Sequence, residues 1–139
     1  MQMNTREEIA AFMAQAFPSS RFTIEEAGER SATIRRPVTQ DDLRPGDTVS
    51  GPTLMALADT ALYVAIHATL GITPHAVTSN MNIHFLRRPP ADRALIGVCR
   101  LLRVGRTLAV GEVSILSEGD EDPVAHVVGS YAIPRARAS

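Results

Sequence analysis

The run GPTLMALADTALYVAIHATL, residues 51–70, constrains the fold of this chain more than any other stretch. Its apolar residues occupy nearly every side of a helix, so a helix here cannot lie half in water and is predicted to be the wrapped centre of a core. Ser50 is a suitable N-cap, Pro52 suits the first turn, and Gly71 suits the end of such a helix. We therefore predict a central helix over about 51–70, kept thin by five alanines so that a sheet can approach closely.

Asp59 is the one carboxylate within this apolar helix. Burying a carboxylate without a partner is expensive, so a purely structural position would normally carry another residue. We therefore treat Asp59 as the leading functional residue. The alternative is structural: Asp59 hydrogen-bonds to a neighbouring loop or lies at a wet interface.

A run of this length and hydropathy could also span a membrane. Polar residues interrupt it at four positions, however, and no cluster of arginines flanks it. The four interrupting residues are Asp59, Thr60, Tyr63 and His67. We therefore expect no membrane span.

Length and charge narrow the class of protein. With 139 residues, 45% of them hydrophobic, the chain is long enough for one domain with its own core, which we predict over 1–139. The net charge is −1 and every basic residue is an arginine, so no broad positive field would attract nucleic acid. The N-terminus lacks the pattern of a secretory signal, and the single Cys99 has no partner for an intramolecular disulfide, so we expect a cytoplasmic protein.

The segment before the central helix predicts a short helix and a hairpin. Thr5 and the acidic residues after it cap an amphipathic helix over about 4–17, which we expect to pack as a lid on one edge. Residues 22–34 alternate across a turn containing Gly28 and predict a hairpin. Residues 38–49 are predicted to be a loop that leads into the central helix.

After the central helix the hydrophobic period changes to two, which is typical of strands. The first strand is predicted to place these residues on its apolar face: Val77, Ser79, Met81, Ile83 and Phe85. Further strands are predicted over about 93–104, 106–117 and 124–133, followed by a frayed tail. Within 106–117 the inward-facing parity changes near Gly111, which predicts a β-bulge there. The whole is an α+β fold, with an antiparallel meander that curls round the long helix.

The segment SGPTLMALADTA, residues 50–61, resembles the His-Gly-Gly-x-Leu-x-x-Leu-Ala-Asp-Thr-Ala signature of the hotdog-fold acyl-CoA thioesterases. The resemblance is to their PaaI-like branch, associated with phenylacetyl-CoA metabolism. Phe85-Leu86-Arg87 and Val104-Gly105-Arg106 match two further family positions, and the similarity covers about residues 44–133. It implies a curved antiparallel sheet wrapped around the central helix, dimers that share a continuous sheet, and pairing of dimers into homotetramers.

The resemblance also implies roles for individual residues. Asp59 takes the place of the general base or nucleophile, and Gly51 takes that of the backbone N–H that polarises the thioester carbonyl. Ser50 stands where the family usually has His, Pro52 stands where it has a second Gly, and Arg44 stands near the place of a missing Asn. The resemblance implies no cofactor.

Physical chemistry supports these roles independently. The Gly51 N–H lies at the positive end of a helix, where a carbonyl oxygen that gains charge would meet an unpaired donor. Asp59 can activate a water or attack the carbonyl directly, and both remain open. Eight residues separate the two, or about 12 Å along one helix, so one carbonyl cannot touch both. An antiparallel pair of helices related by a two-fold axis would bring Gly51 of one subunit beside Asp59 of the other.

Several further residues are candidates for substrate binding. Arginines at strand ends could hold the phosphates of coenzyme A, and we choose Arg88 and Arg106. Asn80 either lines the acyl end or belongs to the polar face of an exposed or subunit-contact strand. Ser50 completes the set because it stands beside the predicted donor. The four histidines share no metal-ligand spacing, so we predict no metal site.

The sequence therefore predicts an acyl-CoA thioesterase for small or medium acyl groups, aromatic ones included, working as a homodimer with shared active sites. One alternative is a non-catalytic hotdog module that binds acyl-CoA, but such a module would not need Asp59. Another is a hotdog dehydratase or hydratase, which pairs a carboxylate with a histidine near the helix start, where this chain has Ser50.

Overall fold

Helix α2, Gly51–Leu70, runs through the middle of the protein, as predicted. A computed structural model of the chain describes residues 5–134. The other elements, in chain order, are α1 (Arg6–Ala16), β1 (Thr23–Gly28), β2 (Ser31–Arg36), β3 (Leu43–Arg44), β4 (Thr48–Val49), β5 (Val77–Phe85), β6 (Leu95–Val104), β7 (Leu108–Ser117) and β8 (Ala125–Ala132). The tail expected to be frayed lies, beyond Pro134, outside the described residues.

Both helices begin and end where their capping residues predict. Thr5 accepts a hydrogen bond from the Glu8 N–H and donates its own N–H to the Glu8 carboxylate, which is a capping box. The Ser50 hydroxyl accepts from the Thr53 N–H and caps α2. Gly71 ends α2 at φ +89°, a backbone conformation that favours glycine.

Six strands form one antiparallel sheet in the order β1-β2-β6-β7-β8-β5. The predicted hairpin is β1–β2, and the predicted loop before α2 contains a small two-stranded pair, β3 and β4. The prediction of a continuous meander is wrong for β5, which pairs with β8 at the far edge instead of with β6. Residues of β5 are mostly exposed, whereas β6 and β7 alternate between buried and partly exposed, so β5 suits an edge and the other two suit the centre.

The predicted bulge near Gly111 lies instead in the facing strand. In β7 the odd-numbered residues 109–117 are all buried, so its inward face does not change. The register shift falls between Leu101 and Arg103 of β6, opposite Gly111 and Val110. Leu108 and Val110 are apolar yet face outward. A prediction that assigns apolar residues to the inner face therefore put the bulge in the wrong strand.

The concave face of the sheet packs on α2, which contributes most of the core. Thirteen of its twenty residues are buried. Leu62 fits against two glycines that lie opposite each other in β7 and β8, Gly111 and Gly129, where an added Cβ would come within 2.7 and 2.8 Å of its methyl groups. By length and hydropathy α2 could cross a membrane, but 67% of its most apolar window is buried inside the protein. It is the core helix of this sheet.

Candidate active site

Asp59 lies half-buried in the wall of a cavity of about 330 Å³. Helices α1 and α2 and the paired strands β5 and β8 surround this cavity. Its lining is largely aromatic and aliphatic: Met13, Phe17, Asp59, Thr60, Tyr63, Pro74, Ala76, Val77, Thr78 and Tyr131. The predicted lid, α1, thus forms one wall through Met13 and through Phe17, the residue that follows the helix. We call this space the Asp59 cavity.

Two hydroxyl groups hold the same oxygen of the Asp59 carboxylate. Thr78 Oγ1 donates to Asp59 Oδ1 at 2.5 Å, and the Tyr131 hydroxyl lies 2.6 Å from that oxygen. The Tyr131 hydroxyl is also 3.0 Å from the main-chain oxygen of Asp59. Among residues 5–134, no group hydrogen-bonds to Oδ2. The carboxylate therefore has one oxygen held by two donors and one oxygen without a partner in the described part of the chain.

A β-bulge in β5 brings the two hydroxyls together. Thr78 and Tyr131 are direct partners in the β5–β8 register, and the register shifts between Thr78 and Asn80. The extra residue, Ser79, reverses the alternation, so Thr78 rather than Val77 or Ser79 continues the inward face of Met81. The prediction of one unbroken apolar face along β5 is therefore wrong at the start of the strand.

Sequence reasoning missed both hydroxyls for identifiable reasons. Strict alternation along β5 puts Thr78 on the outward face, so its inward position can be recognised only once the bulge is known. Tyr131 carried a usable signal, because a buried tyrosine hydroxyl normally needs a partner and its neighbours in β8 are aliphatic or small. Burial and the neighbouring Asp59 carboxylate raise the pKa of Tyr131 well above its usual range, so its hydroxyl stays protonated and remains a donor.

Gly51 lies in a second cavity, of about 320 Å³, at the N-terminus of α2. Within residues 5–134 its N–H has no acceptor, and it points from the positive end of the helix dipole. A Cβ added here would come within 3.2 Å of the Phe85 ring, so glycine allows close approach. Arg44, Arg87 and Arg88 line the same space, which we call the Gly51 cavity. A backbone donor and three guanidinium groups favour a ligand with a carbonyl and anionic groups.

A buried ion pair anchors the segment that carries Gly51. Arg36 donates to both carboxylate oxygens of Asp42 at 2.8 and 2.9 Å, and the Thr39 N–H donates to Oδ2. Thr53 Oγ1 of α2 donates to Asp42 Oδ1, and the Ser50 N–H donates to the Asp42 main-chain oxygen. Burial would raise the pKa of Asp42, but the hydrogen bonds from Arg36 and Thr39 and the charge of Arg36 hold it at about 2. This network fixes the start of α2.

The remaining predicted site residues lie in different places. The Ser50 hydroxyl is occupied as the helix cap and lies 3.0 Å from Thr53 Oγ1. Arg88 lies in the Gly51 cavity, as its predicted role requires. Asn80 pairs with Ser130 on the other face of the sheet from Thr78 and Tyr131, and Arg106 lies exposed in the β6–β7 turn. Neither lines the Asp59 or the Gly51 cavity of a single chain, and their roles stay predictions.

A larger cavity, of about 580 Å³, lies on the other side of Thr60. Its charged groups include Arg36 and Asp42, which are already paired with each other. It contains neither Asp59 nor Gly51, so we do not place the site there. Across the described part of the chain, no three His, Cys, Asp or Glu side chains come together as a metal site would require.

Asp59 and Gly51 do not meet within one chain. They line different cavities, and the helical rise separates them by about 12 Å. One chain thus presents a carboxylate in one cavity and a backbone N–H without an acceptor among residues 5–134 in another.

Known proteins share both the sequence pattern and this architecture. The profile of the thioesterase superfamily matches residues 46–124, more than half of the chain. A crystal structure described as a thioesterase, from Silicibacter sp. TM1040, is 41% identical, with a TM-score of 0.88 over 96% of this chain and 95% of that one. A protein of Thermoplasma acidophilum described as an esterase is 27% identical over 82% of this chain and 84% of its own length.

More distant structures share the fold. The PaaI protein from the phenylacetic acid degradation operon of E. coli has a TM-score of 0.78 at 24% identity, covering 93% of each chain. A thioesterase-type protein of Streptococcus pneumoniae, crystallised with coenzyme A, has a TM-score of 0.74 at 18% identity, covering 86% of this chain and 94% of that one. The resemblance to the hotdog-fold thioesterases is therefore confirmed, and the chain belongs to the thioesterase superfamily, as a hydrolase of thioesters.

Proposed function

We propose that the protein hydrolyses acyl-CoA thioesters, with Asp59 as the group that activates water and the Gly51 N–H as the donor to the carbonyl oxygen. One observation carries this proposal: Asp59 lines a cavity, its Oδ1 is held by two hydroxyls, and its Oδ2 has no hydrogen-bond partner among residues 5–134. A carboxylate that is oriented and open on one oxygen is what a general base requires. Direct attack by the same oxygen remains the alternative chemistry.

The proposed reaction needs only groups already described. Asp59 takes a proton from water as the water oxygen adds to the thioester carbon, and the carbonyl oxygen becomes negative. The Gly51 N–H and the helix dipole stabilise that charge. When the tetrahedral intermediate collapses, the carbon–sulfur bond breaks and the thiolate of coenzyme A takes the proton from Asp59. The products are the free acid and the thiol.

Charge and shape support coenzyme A as the thiol. Arg44 and Arg88 flank Gly51, and guanidinium groups are well suited to phosphate oxygens. The S. pneumoniae protein of the same fold holds coenzyme A, which supports this choice. The apolar Asp59 cavity suits a small or medium acyl group, aromatic ones included.

The separation of Gly51 and Asp59 supports a dimer with shared sites. Strand β5 ends the sheet, and no strand among residues 5–134 pairs with its outer edge. Val77, Phe85 and Leu86 at its ends are more than half exposed. A two-fold partner that pairs along β5 would cover this edge and could place Gly51 of one subunit opposite Asp59 of the other. Pairing of such dimers into homotetramers is the assembly expected from the family resemblance.

A thiol-release assay tests the proposed function. Short, long and aromatic acyl-CoA substrates are offered to the purified protein, and free thiol is followed with a chromogenic reagent. The proposal predicts thiol release at a rate proportional to enzyme for at least one acyl class. Tight binding of acyl-CoA without any release would favour the non-catalytic module.

The substitution Asp59→Asn tests the role of the carboxylate. It keeps the shape of the side chain but cannot take a proton, so turnover should fall by roughly a hundredfold or more. Folding should be retained, because the amide oxygen can still accept from Thr78 and Tyr131. Circular dichroism and melting control for folding. Wild-type turnover in a folded Asp59→Asn protein would overturn the assignment.

A further inference from the structure

We propose that Tyr131 is the positioning residue of this site: together with Thr78 it fixes Asp59 Oδ1, and it thereby makes Oδ2 the oxygen that reacts. This inference rests on the proposed function, because it assigns the working atom of the same carboxylate. It concerns a residue that acts through Asp59 and not on the substrate itself.

The contacts of Tyr131 hold the carboxylate relative to its own helix. Its hydroxyl lies 2.6 Å from Oδ1 and 3.0 Å from the main-chain oxygen of Asp59, so it bridges the side chain and the backbone of one residue. The final torsion of an aspartate side chain has no sharp preference of its own, so the two oxygens would otherwise exchange easily. The Tyr131 hydroxyl lies near both the side chain and the backbone of Asp59, and it therefore restricts rotation of the carboxylate.

Tyr131 is better anchored than the other groups around the carboxylate. It is 3% exposed and belongs to β8, which pairs with β7 on one side and β5 on the other. Its ring lies 6.0 Å from the ring of Tyr63, centroid to centroid. Thr78, by contrast, lies on the edge strand β5, next to the bulge at Ser79. Tyr131 is therefore the rigid donor and Thr78 its cross-strand partner.

The two donors leave the second carboxylate oxygen available. Because both bonds converge on Oδ1, the lone pairs of Oδ2 remain free for a water proton. Removing one donor should weaken the orientation of the carboxylate.

The kinetic test is Tyr131→Phe, which deletes only the hydroxyl. We expect kcat to fall roughly tenfold, the loss expected for one hydrogen bond to a charged group, with KM changed by less than about twofold. Thr78→Val removes the other donor and should also lower kcat, with KM again little changed.

The matched control is Tyr63→Phe. Tyr63 lines the same cavity, but its hydroxyl donates to the Pro74 carbonyl at 2.9 Å and does not contact Asp59. Whatever this change does to KM, kcat should fall far less than in Tyr131→Phe. An equal loss of kcat in Tyr63→Phe and Tyr131→Phe, or no loss in Tyr131→Phe, would overturn the proposal.

A second readout needs no turnover. In protein labelled with ¹³C-tyrosine, the two hydroxyl protons are assigned by their loss in Tyr131→Phe and Tyr63→Phe. Asp59→Asn replaces a charged acceptor by a neutral one, so the Tyr131 hydroxyl proton should move upfield while the Tyr63 proton stays unchanged. If neither proton moves, Tyr131 does not hold Asp59, and the inference fails even in an active enzyme. If the wild-type protein hydrolyses no acyl-CoA but the Tyr131 proton moves, the proposed function fails and the contact stands.

Discussion

At the scale of single residues, His67 shows how burial sets the charge state of a side chain. It is fully buried in α2, and its ring packs edge-on against Tyr63 with centroids 4.1 Å apart. The Thr73 N–H donates to His67 Nδ1. Burial lowers the pKa of His67 to about 4, against a smaller effect of the Gly71 backbone that raises it. His67 is therefore neutral in the folded protein at neutral pH.

This burial predicts a loss of stability in mild acid. The unfolded chain takes up a proton on His67 near pH 6.5, but the folded chain does so only near pH 4. The contribution of neutral His67 to the free energy of unfolding is complete above pH 6.5. It is lost as the pH falls from 6.5 to 4, and the loss is about 3 kcal/mol at most. Urea unfolding at several pH values and one protein concentration measures it. His67→Gln should flatten this part of the profile, and identical profiles for both proteins would refute the prediction.

At the scale of elements, the loop before α2 contributes more to the stability of the fold than its sequence suggests. The bidentate pair of Arg36 and Asp42 is mostly buried, with side-chain exposures of 24% and 7%. Arg35 and Glu118 form a bidentate pair of similar geometry at the surface, with distances of 2.9 and 3.1 Å. A comparison of the two pairs therefore separates the effect of burial on the free energy of unfolding from the effect of hydrogen-bond geometry.

Asp42→Ala should lower the free energy of unfolding by about 3 kcal/mol, because it leaves a partly buried guanidinium unpaired and frees the start of α2. Activity should fall as well, since Ser50 and the adjoining Gly51 depend on this anchor. Glu118→Ala is the control and should cost far less stability, because its pair is solvated. Chemical denaturation measures both proteins. Equal losses would mean that the buried network does not anchor α2.

The elements also mark the limit of sequence reasoning here. Helix α2 could be predicted because its caps are local and its apolar surface is continuous, and Asp59 stood out against that surface. Thr78 could not be predicted, because its inward position depends on the extra residue Ser79 and on the pairing of β5 with β8. Likewise, apolar residues on an outward face hid the true position of the bulge in β6. Register is set by tertiary pairing, which alternation along one strand does not record.

At the scale of the whole molecule, the two groups proposed for catalysis lie in different cavities of one chain. Asp59 with Tyr131 lies in one cavity, and Gly51 with Arg88 lies in the other. The unpaired edge of β5 lies at the end of the sheet, beside the strand that carries Tyr131. The central claim is therefore that a working site forms only when two chains pair.

Mixing two inactive variants tests this claim most directly. Gly51→Pro deletes the donor and Asp59→Ala deletes the base, so each protein alone should be inactive. Gly51→Ala keeps the N–H while adding a Cβ near Phe85, and it separates loss of the donor from crowding. When the two inactive proteins are refolded together in equal amounts, random pairing should restore roughly a quarter of the wild-type sites, because one site of each mixed dimer carries neither defect. If native mass spectrometry detects mixed dimers and no activity returns, each site lies within one chain and the account is contradicted.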